Sequence, residues 1–176
     1  GLAVYLKGSG RGPFEAATVR IGPSGRIAVI SGVAAMGQGT VTMLAQIVAQ
    51  SLGINMDEVD VTIGDTSAIP YGMGAASSRQ TVTAGSSVKA AAEEVRKKAL
   101  RVGAHILEVA EDDLELSAGH IHVKGVPDLS ISLGEMATQL AGAATGFSLP
   151  GGENPGLESH MAVQISGLAF SNGAHV

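Results

Sequence analysis

Residues 88–109, VKAAAEEVRKKALRVGAHILEV, contain the most regular pattern of the sequence. Apolar side chains recur every three or four positions and form one continuous stripe, which predicts a long amphipathic helix. Glu93 and Glu94 each stand four residues before a lysine, which predicts two ion pairs on the face toward water. Gly103 is the weak point of this helix, because glycine costs about 1 kcal/mol relative to alanine. The stripe consists of Val88, Ala92, Val95, Ala99, Val102, Ile106 and Val109.

The residues before this helix predict a hairpin, a second helix and a third strand. Residues 17–21 alternate apolar and polar side chains, and Pro23-Ser24-Gly25 supplies a turn to a return strand over 26–31. Gly53 stands where the C-terminal cap of the second helix belongs, and residues 59–63 predict the third strand. The apolar positions of the second helix are Val41, Leu44, Ala45, Val48 and Leu52.

The residues after the long helix predict a smaller unit. Residues 114–123 predict a second hairpin, and Ser132 and Glu135 have the spacing of a capping box before a short helix through Leu140. A Gly/Pro-rich loop is predicted for 142–156, with extended chain after it.

These elements predict an α+β fold, with a mixed or antiparallel sheet and helices packed on one of its faces. We expect two hairpin–helix lobes, a larger one over residues 14–110 and a smaller one over residues 111–176. With 45% hydrophobic residues, 3% aromatic residues and no Trp, the core is expected to be aliphatic.

Composition excludes several classes of function. The formal charge of −5 and the lack of any Lys/Arg run argue against binding to nucleic acid or an anionic membrane surface. No apolar run approaches the roughly 20 residues needed to cross a bilayer. Because the chain has no Cys, it contains no disulfide, thiolate metal site or Cys nucleophile.

Residues 36–40, MGQGT, form the first candidate site, at the start of the second helix. Free N–H groups at a helix N-terminus favour an anion or a polar heterocycle, and glycine lets a ligand come close. Gln38 can donate and accept at the same time. The alternative is a plain hairpin-to-helix turn in which Thr40 is the N-cap.

Residues 64–81 form the second candidate site, a loop far longer than the median connection of ~4–6 residues. Such loops are often functional, and this one feeds the long helix through Ser77-Ser78-Arg79-Gln80-Thr81. The alternative is structural: Asp65 closes a turn, and Ser77 or Ser78 caps the helix. Two donor-rich loops that each enter a helix predict one shared ligand.

Several ordered motifs resemble the large, molybdopterin-binding subunit of the xanthine dehydrogenase, aldehyde oxidase and carbon monoxide dehydrogenase family. The similarity is greatest to bacterial members with a separate cofactor subunit, as in the carbon monoxide dehydrogenase group. The segments that carry the resemblance are 10–17, 36–47, 52–54, 64–66, 70–72, 77–79, Gly85 and 171–176.

The resemblance implies a molybdopterin cofactor with molybdenum, in the cytosine dinucleotide form, and oxidative hydroxylation of an aldehyde, an N-heterocycle or carbon monoxide. The implied partners are the rest of the same subunit and the FAD and 2Fe–2S subunits or domains. A cytoplasmic location is expected, with the periplasm as the alternative. The implied cofactor-binding residues are Gly37, Gln38, Gly39, Thr40, Ser77, Ser78, Arg79, Gln80 and Thr81. The sequence departs from the family pattern at Gln80, where others often have Ser, and at Thr40-Val41, where others have His-Glu.

No catalytic residue is assigned within the chain. The resemblance places the catalytic glutamate beyond residue 176 and the substrate loop before residue 1, so none of the ten glutamates is expected to act as the base. We expect a segment of a longer protein that is inactive alone and self-associates as a dimer. His120 and His122 share one side of a predicted strand, but no third ligand is evident, so no metal site is predicted. The alternative function is a stand-alone or non-catalytic α+β module that binds a phosphate or nucleotide at the two helix N-termini.

Overall fold

A computed structural model describes residues 1–142 and 147–176. Part of the loop predicted over 142–156, residues 143–146, lies outside the described residues. The elements, in chain order, are β1 (Ala3–Ser9), β2 (Ala16–Ile21), β3 (Ile27–Ser31), α1 (Thr40–Leu52), β4 (Val59–Ile63), α2 (Gln80–Leu107), β5 (Leu114–Ser117), β6 (His120–Val123), β7 (Val126–Ser132), α3 (Leu133–Leu140), β8 (Leu157–Ala162) and β9 (Ala169–His175).

The strands form a mixed sheet and two antiparallel ones. The four-stranded sheet has the order β4-β3-β2-β8, in which only β3 and β4 run parallel. Those two strands need a crossover, and α1 provides it. Strands β5, β6 and β7 form a three-stranded sheet in that order, and β1 and β9 form a two-stranded ribbon. The predicted α+β class is therefore confirmed.

Helix α1 packs against α2 and β4 through most of the predicted stripe. Leu44, Val48 and Leu52 are fully buried, and the left-handed Gly53 (φ 63°) caps the helix as predicted. Val41 is the exception, because 43% of it is exposed. The buried residue at that end of the helix is Thr40 instead.

Helix α2 spans the molecule and packs against α1, β2 and β8. Its predicted stripe is buried from Val88 to Val102, but Val109 lies beyond the helix, which ends at the left-handed cap Glu108 (φ 55°). At Gly103 a side chain would collide with β6, since a Cβ there would lie 2.8 Å from Ile121 Cγ2. The absence of a side chain at Gly103 thus allows the β5–β6–β7 sheet to pack directly on α2.

Both ion pairs predicted on α2 are wrong. Glu93 pairs with Lys89 (3.6 Å), and Glu94 pairs with Lys97 (2.7 Å). Lys98 is buried and donates from Nζ to the Asn154 carbonyl (2.7 Å). Spacing alone could not distinguish these partners, because three lysines lie within one turn of the two glutamates.

The smaller unit contains the predicted hairpin, β5–β6, and a third strand, β7, which the sequence did not indicate. The Ser132–Glu135 capping box is present as predicted, and the hydrogen bonds from the Ser132 hydroxyl and backbone N–H lower the pKa of the Glu135 carboxyl. Strand β8 pairs with β2 and so links the two lobes proposed over 14–110 and 111–176. The lobe boundaries remain a prediction. No helix within the described ranges combines the length and hydropathy needed to cross a membrane.

At Gly32 and Gly72 the loop after β4 is in direct backbone contact with the chain that follows β3. A Cβ on Gly32 would overlap the Tyr71 carbonyl oxygen and lie 2.8 Å from the Gly72 Cα, and a Cβ on Gly72 would overlap the Gly32 backbone. Because both neighbours are backbone atoms, no side-chain rotation can relieve the overlap. This contact brings the segment around 72 to the segment around 32, which leads into α1.

Gly32→Ala should lower the free energy of unfolding by about 3 kcal/mol, because a methyl group is forced into backbone. The matched control is Gly151→Ala, where the added Cβ has no neighbour within 4 Å and φ is not left-handed. That control should stay within about 0.5 kcal/mol of the unmodified chain in urea titrations. Equal losses in the two variants would contradict the contact.

Candidate functional site

The two loops singled out by sequence meet around one cavity of about 320 Å³. Gln38 and Thr40 of the first loop face residues 77–81 of the second across it. Gly37 and Gly39 shape the first loop without lining the cavity. The lining residues are Met36, Gln38, Thr40, Met43, Ala75, Ala76, Ser77, Ser78, Arg79, Gln80 and Thr81.

The first loop enters α1 through left-handed glycines. Gly37 has φ 91° and Gly39 has φ 79°, a region that other residues rarely occupy. Gly39 is the N-cap, so the structural alternative with Thr40 as N-cap is wrong. Thr40 is instead the first helical residue, and its hydroxyl donates across the cavity to Gln80 Oε1 (2.7 Å).

Both helices begin at the cavity without a side-chain cap. Gly39 and Arg79 are the N-cap positions, and in the described part of the chain no side chain accepts a backbone N–H of the first turn of α1 or α2. The predicted capping of α2 by Ser77 or Ser78 is therefore wrong; both serines have a left-handed backbone (φ 48° and 51°). The first N–H groups of each helix are left free, and neither first turn contains an acidic residue.

A polar network joins the two helix starts. Gln80 Oε1 accepts from Gln38 Nε2 (2.5 Å) as well as from Thr40, and Gln80 Nε2 donates to the Ala34 carbonyl (2.6 Å). Gln38 Oε1 in turn accepts the backbone N–H of Met36 (2.6 Å). The sequence predicted that these side chains share a site, but not that they bond to each other.

Arg79 anchors the second loop to the segment before β2. Its Nη1 pairs with Glu15, and its Nε and Nη2 donate to the carbonyls of Arg11 (2.6 Å) and Phe14 (3.1 Å). Only 2% of Arg79 is exposed, and this burial lowers the pKa of its guanidinium. Although Arg79 borders the cavity, every guanidinium nitrogen donates to a group of the chain itself.

Glu15 is the other half of this anchor. Its Oε1 also accepts the backbone N–H of Met73 (2.9 Å). The buried Oε2 has no partner among the described residues. The ion pair with Arg79 was missed, because 64 positions separate the two residues and no local pattern links them.

The electrostatics of the cavity favour an anion. None of the described residues that line it has a carboxylate, and Arg79, the one ionised side chain among them, is paired with Glu15. The N-termini of α1 and α2 each contribute a partial positive charge and free N–H donors. Amide and hydroxyl groups around them suit the edge of a polar ring.

The histidines of the second hairpin lie apart from this cavity. His122 Nε2 bonds to Glu115 (2.9 Å), and His120 Nδ1 bonds to the Ala118 carbonyl (2.9 Å). Within residues 1–142 and 147–176, no three His, Cys, Asp or Glu residues are grouped as metal ligands.

The fold and the cavity define a cofactor-binding domain of the molybdenum hydroxylase type. Residues 1–176 match the family described as molybdopterin cofactor-binding domain, and the chain belongs to that family. The resemblance found in the sequence is confirmed. Molybdopterin carries a phosphate and a pterin ring with donor and acceptor edges, and the helix N-termini, amides and hydroxyls of the cavity fit both groups.

Curated relatives agree with this assignment. The chain is 45% identical over 137 residues to the 6-hydroxypseudooxynicotine dehydrogenase complex subunit gamma of Paenarthrobacter nicotinovorans, covering 78% of this chain and 17% of that protein. It is 36% identical over 162 residues to the carbon monoxide dehydrogenase large chain of Afipia carboxidovorans, covering 92% and 19%. The chain thus spans about a fifth of the length of these relatives.

Solved structures show the same fold. Carbon monoxide dehydrogenase from Oligotropha carboxidovorans superposes with a TM-score of 0.82 at 34% identity, covering 99% of this chain and 22% of that one. Quinoline 2-oxidoreductase from Pseudomonas putida superposes with a TM-score of 0.80 at 33% identity, covering 99% and 23%.

Glu15→Gln should destabilise the chain strongly, because it leaves the buried Arg79 guanidinium without its counter-charge. We expect a loss of about 3 kcal/mol in the free energy of unfolding, measured by urea titration. Asp60→Asn is the matched control: it removes the same charge from the pair with Arg26, whose partners are 52% and 60% exposed. Water screens that pair, so its loss should be clearly the smaller one. A larger loss for Asp60→Asn would refute the anchoring role of Glu15.

Proposed function

We propose that the cavity between residues 36–40 and 75–81 grips the pterin cofactor of a molybdenum hydroxylase. When bound, the cofactor supplies the redox-active molybdenum, while this chain holds and orients it. The residues proposed to take part are Gly37, Gln38, Gly39, Thr40, Ser77, Ser78, Arg79, Gln80 and Thr81. Arg79 is proposed to act by holding the second loop in place through its ion pair with Glu15, and not by placing its charge on the cofactor.

The observation that carries this proposal is the meeting of two uncapped helix N-termini at one carboxylate-free cavity. A helix N-terminus without a cap has unpaired N–H groups that a phosphate can satisfy. Caps of the usual kind stabilise a helix by about 1 kcal/mol, and both helices lack one at the same place. An external anion is the simplest partner for the donors left free.

We propose the cytosine dinucleotide form of the cofactor. A dinucleotide carries two linked phosphates, which matches the two helix N-termini at the cavity. The likeness to the carbon monoxide dehydrogenase large chain and to quinoline 2-oxidoreductase supports the same form, since the family resemblance implies it for bacterial members with a separate cofactor subunit.

The proposed reaction is oxidative hydroxylation of an aldehyde, an N-heterocycle or carbon monoxide. Relatives named nicotine 6-hydroxylase and quinoline 2-oxidoreductase support an N-heterocycle, and those named carbon monoxide dehydrogenase support carbon monoxide. We place the catalytic glutamate and the substrate loop in other parts of the subunit, so the chain alone is proposed to be inactive. The stand-alone phosphate-binding module is not favoured, because the cofactor-domain family matches all of residues 1–176.

The proposed partners are the rest of the subunit and the FAD and 2Fe–2S subunits or domains. Relatives named as a complex subunit and a large chain support such an assembly. The β1–β9 ribbon exposes Val4 (73%), Leu6 (69%) and Phe170 (58%), and a lone two-stranded ribbon is marginally stable in water. We propose that the rest of the subunit covers it, and that the isolated chain dimerises instead. The cytoplasm is the proposed location, with the periplasm as the alternative.

Thr81→Glu in the full-length subunit tests the proposed phosphate grip. A carboxylate in the first turn of α2 should stabilise the helix by about 0.3–1 kcal/mol and repel a bound anion. We therefore expect at least about fivefold less molybdenum and pterin per subunit, although the variant is no less stable. Thr81→Gln is the matched control, with the same shape and no charge.

Molybdenum is measured by mass spectrometry, pterin by its fluorescence after oxidation, and the dinucleotide by the CMP that acid releases. Cofactor content that is equal in Thr81→Glu and Thr81→Gln would refute the phosphate grip. Pterin without CMP would refute only the cytosine dinucleotide form.

A further inference from the structure

The polar network across the cavity has a fixed direction, because a backbone group stands at each end. The Ala34 carbonyl can only accept, so the Gln80 atom facing it is Nε2 and the atom turned toward the first loop is Oε1. The Met36 N–H can only donate, so the Gln38 atom facing it is Oε1. Gln38 Nε2 must then face Gln80 Oε1, as it does at 2.5 Å.

This chain of bonds decides what Gln38 and Thr40 present to a ligand. Gln38 Oε1 is taken by Met36, and one of the two N–H bonds of Nε2 is taken by Gln80. What remains at Gln38 is one N–H donor on Nε2 and one lone pair on Oε1. The Thr40 hydroxyl donates its proton to Gln80 Oε1, so only its lone pairs remain available to a ligand.

Gln80 is the hub of the arrangement. It is the first residue of α2, 8% of it is exposed, and its side chain makes three hydrogen bonds, to Ala34, Gln38 and Thr40. The Gln38 amide is held at both ends, by the Met36 N–H at Oε1 and by Gln80 Oε1 at Nε2, so without Gln80 only one of these two bonds would remain to fix its orientation.

We infer that Gln80 is a positioning residue, which locks the Gln38 amide so that its free N–H points as a donor at an acceptor atom of the bound cofactor. The inference rests on the proposed function, because it takes the cavity to be the cofactor site. It assigns Gln80 an effect through Gln38 instead of a contact of its own.

A double-mutant cycle on the full-length, cofactor-loaded subunit tests this role. The variants are Gln80→Met, Gln38→Met and the two combined, since methionine keeps the length of glutamine and removes its hydrogen bonds. The measurement is the rate at which molybdenum and pterin are lost after dilution, followed together with the melting temperature. Gln46→Met, on the exposed face of α1, is the matched control and should change neither.

We expect Gln80→Met to speed cofactor loss by about tenfold, as the loss of a few hydrogen bonds implies. When Gln38 is already Met, the same substitution should speed it by less than about twofold, because the amide that Gln80 orients is gone. A tenfold effect in both backgrounds would overturn the inference, since Gln80 would then act independently of Gln38.

The proposed function can be refuted independently of the role inferred for Gln80. If Gln38→Met and Thr81→Glu both leave cofactor content and loss rate unchanged, the cavity is not the cofactor site. If Gln38→Met alone speeds the loss and Gln80→Met adds its full effect, the site stands and the inference falls.

Should Gln80→Met not fold, the cycle is run with Thr40→Val, which removes one donor to Gln80 Oε1 and keeps the shape of the side chain. A smaller increase, about threefold, that disappears in the Gln38→Met background supports the inference. Additivity with Gln38→Met overturns it.

Discussion

The buried ion pair between Glu15 and Arg79 is the contact on which the arrangement of the site depends. It joins the segment before β2 to the residue that precedes α2, and its hydrogen bonds reach the backbone of residues 11, 14, 73 and 74. Removing charges from water is costly, and here the cost is offset by donors and acceptors placed around both groups. Because Arg79 is the N-cap of α2, the pair determines where that helix begins and where its free N–H groups point.

Much of the fold could be predicted from local pattern. Alternation in residues 17–21, helical spacing in 88–102 and the Ser132–Glu135 capping box each depend on neighbours within a few positions, and all are present. Some of what failed depends on partners distant in sequence: Lys98 bonds to Asn154, and Thr40, whose hydroxyl bonds to Gln80, is buried in place of Val41. Strand β7 was missed because its burial alternates only at its end, where Ile131 meets the core.

The sequence predicted where the site lies but not the hydrogen bonds within it, because most of those bonds join residues distant in sequence. Glycines and hydroxyl residues before two helices indicated where a ligand could bind, since free N–H groups are a property of any helix start. The three bonds that Gln80 makes to Ala34, Gln38 and Thr40 connect positions at least 40 residues apart in sequence, and no local pattern contains them. The sequence could not show that the Arg79 guanidinium is buried and bonded to its own chain, because its partners Arg11, Phe14 and Glu15 lie more than 60 residues away.

The pairing of β8 with β2 has a consequence for synthesis of the chain. Both loops that line the cavity and α2 lie before residue 108, whereas the strand that covers the outer edge of β2 is not made until residues 157–162. Contacts so distant in sequence form late, and an unpaired strand edge invites pairing with other chains. A ribosome that pauses within the β5–β6–β7 sheet therefore exposes a nascent chain in which both loops at the cavity are complete but the four-stranded sheet is open to aggregation.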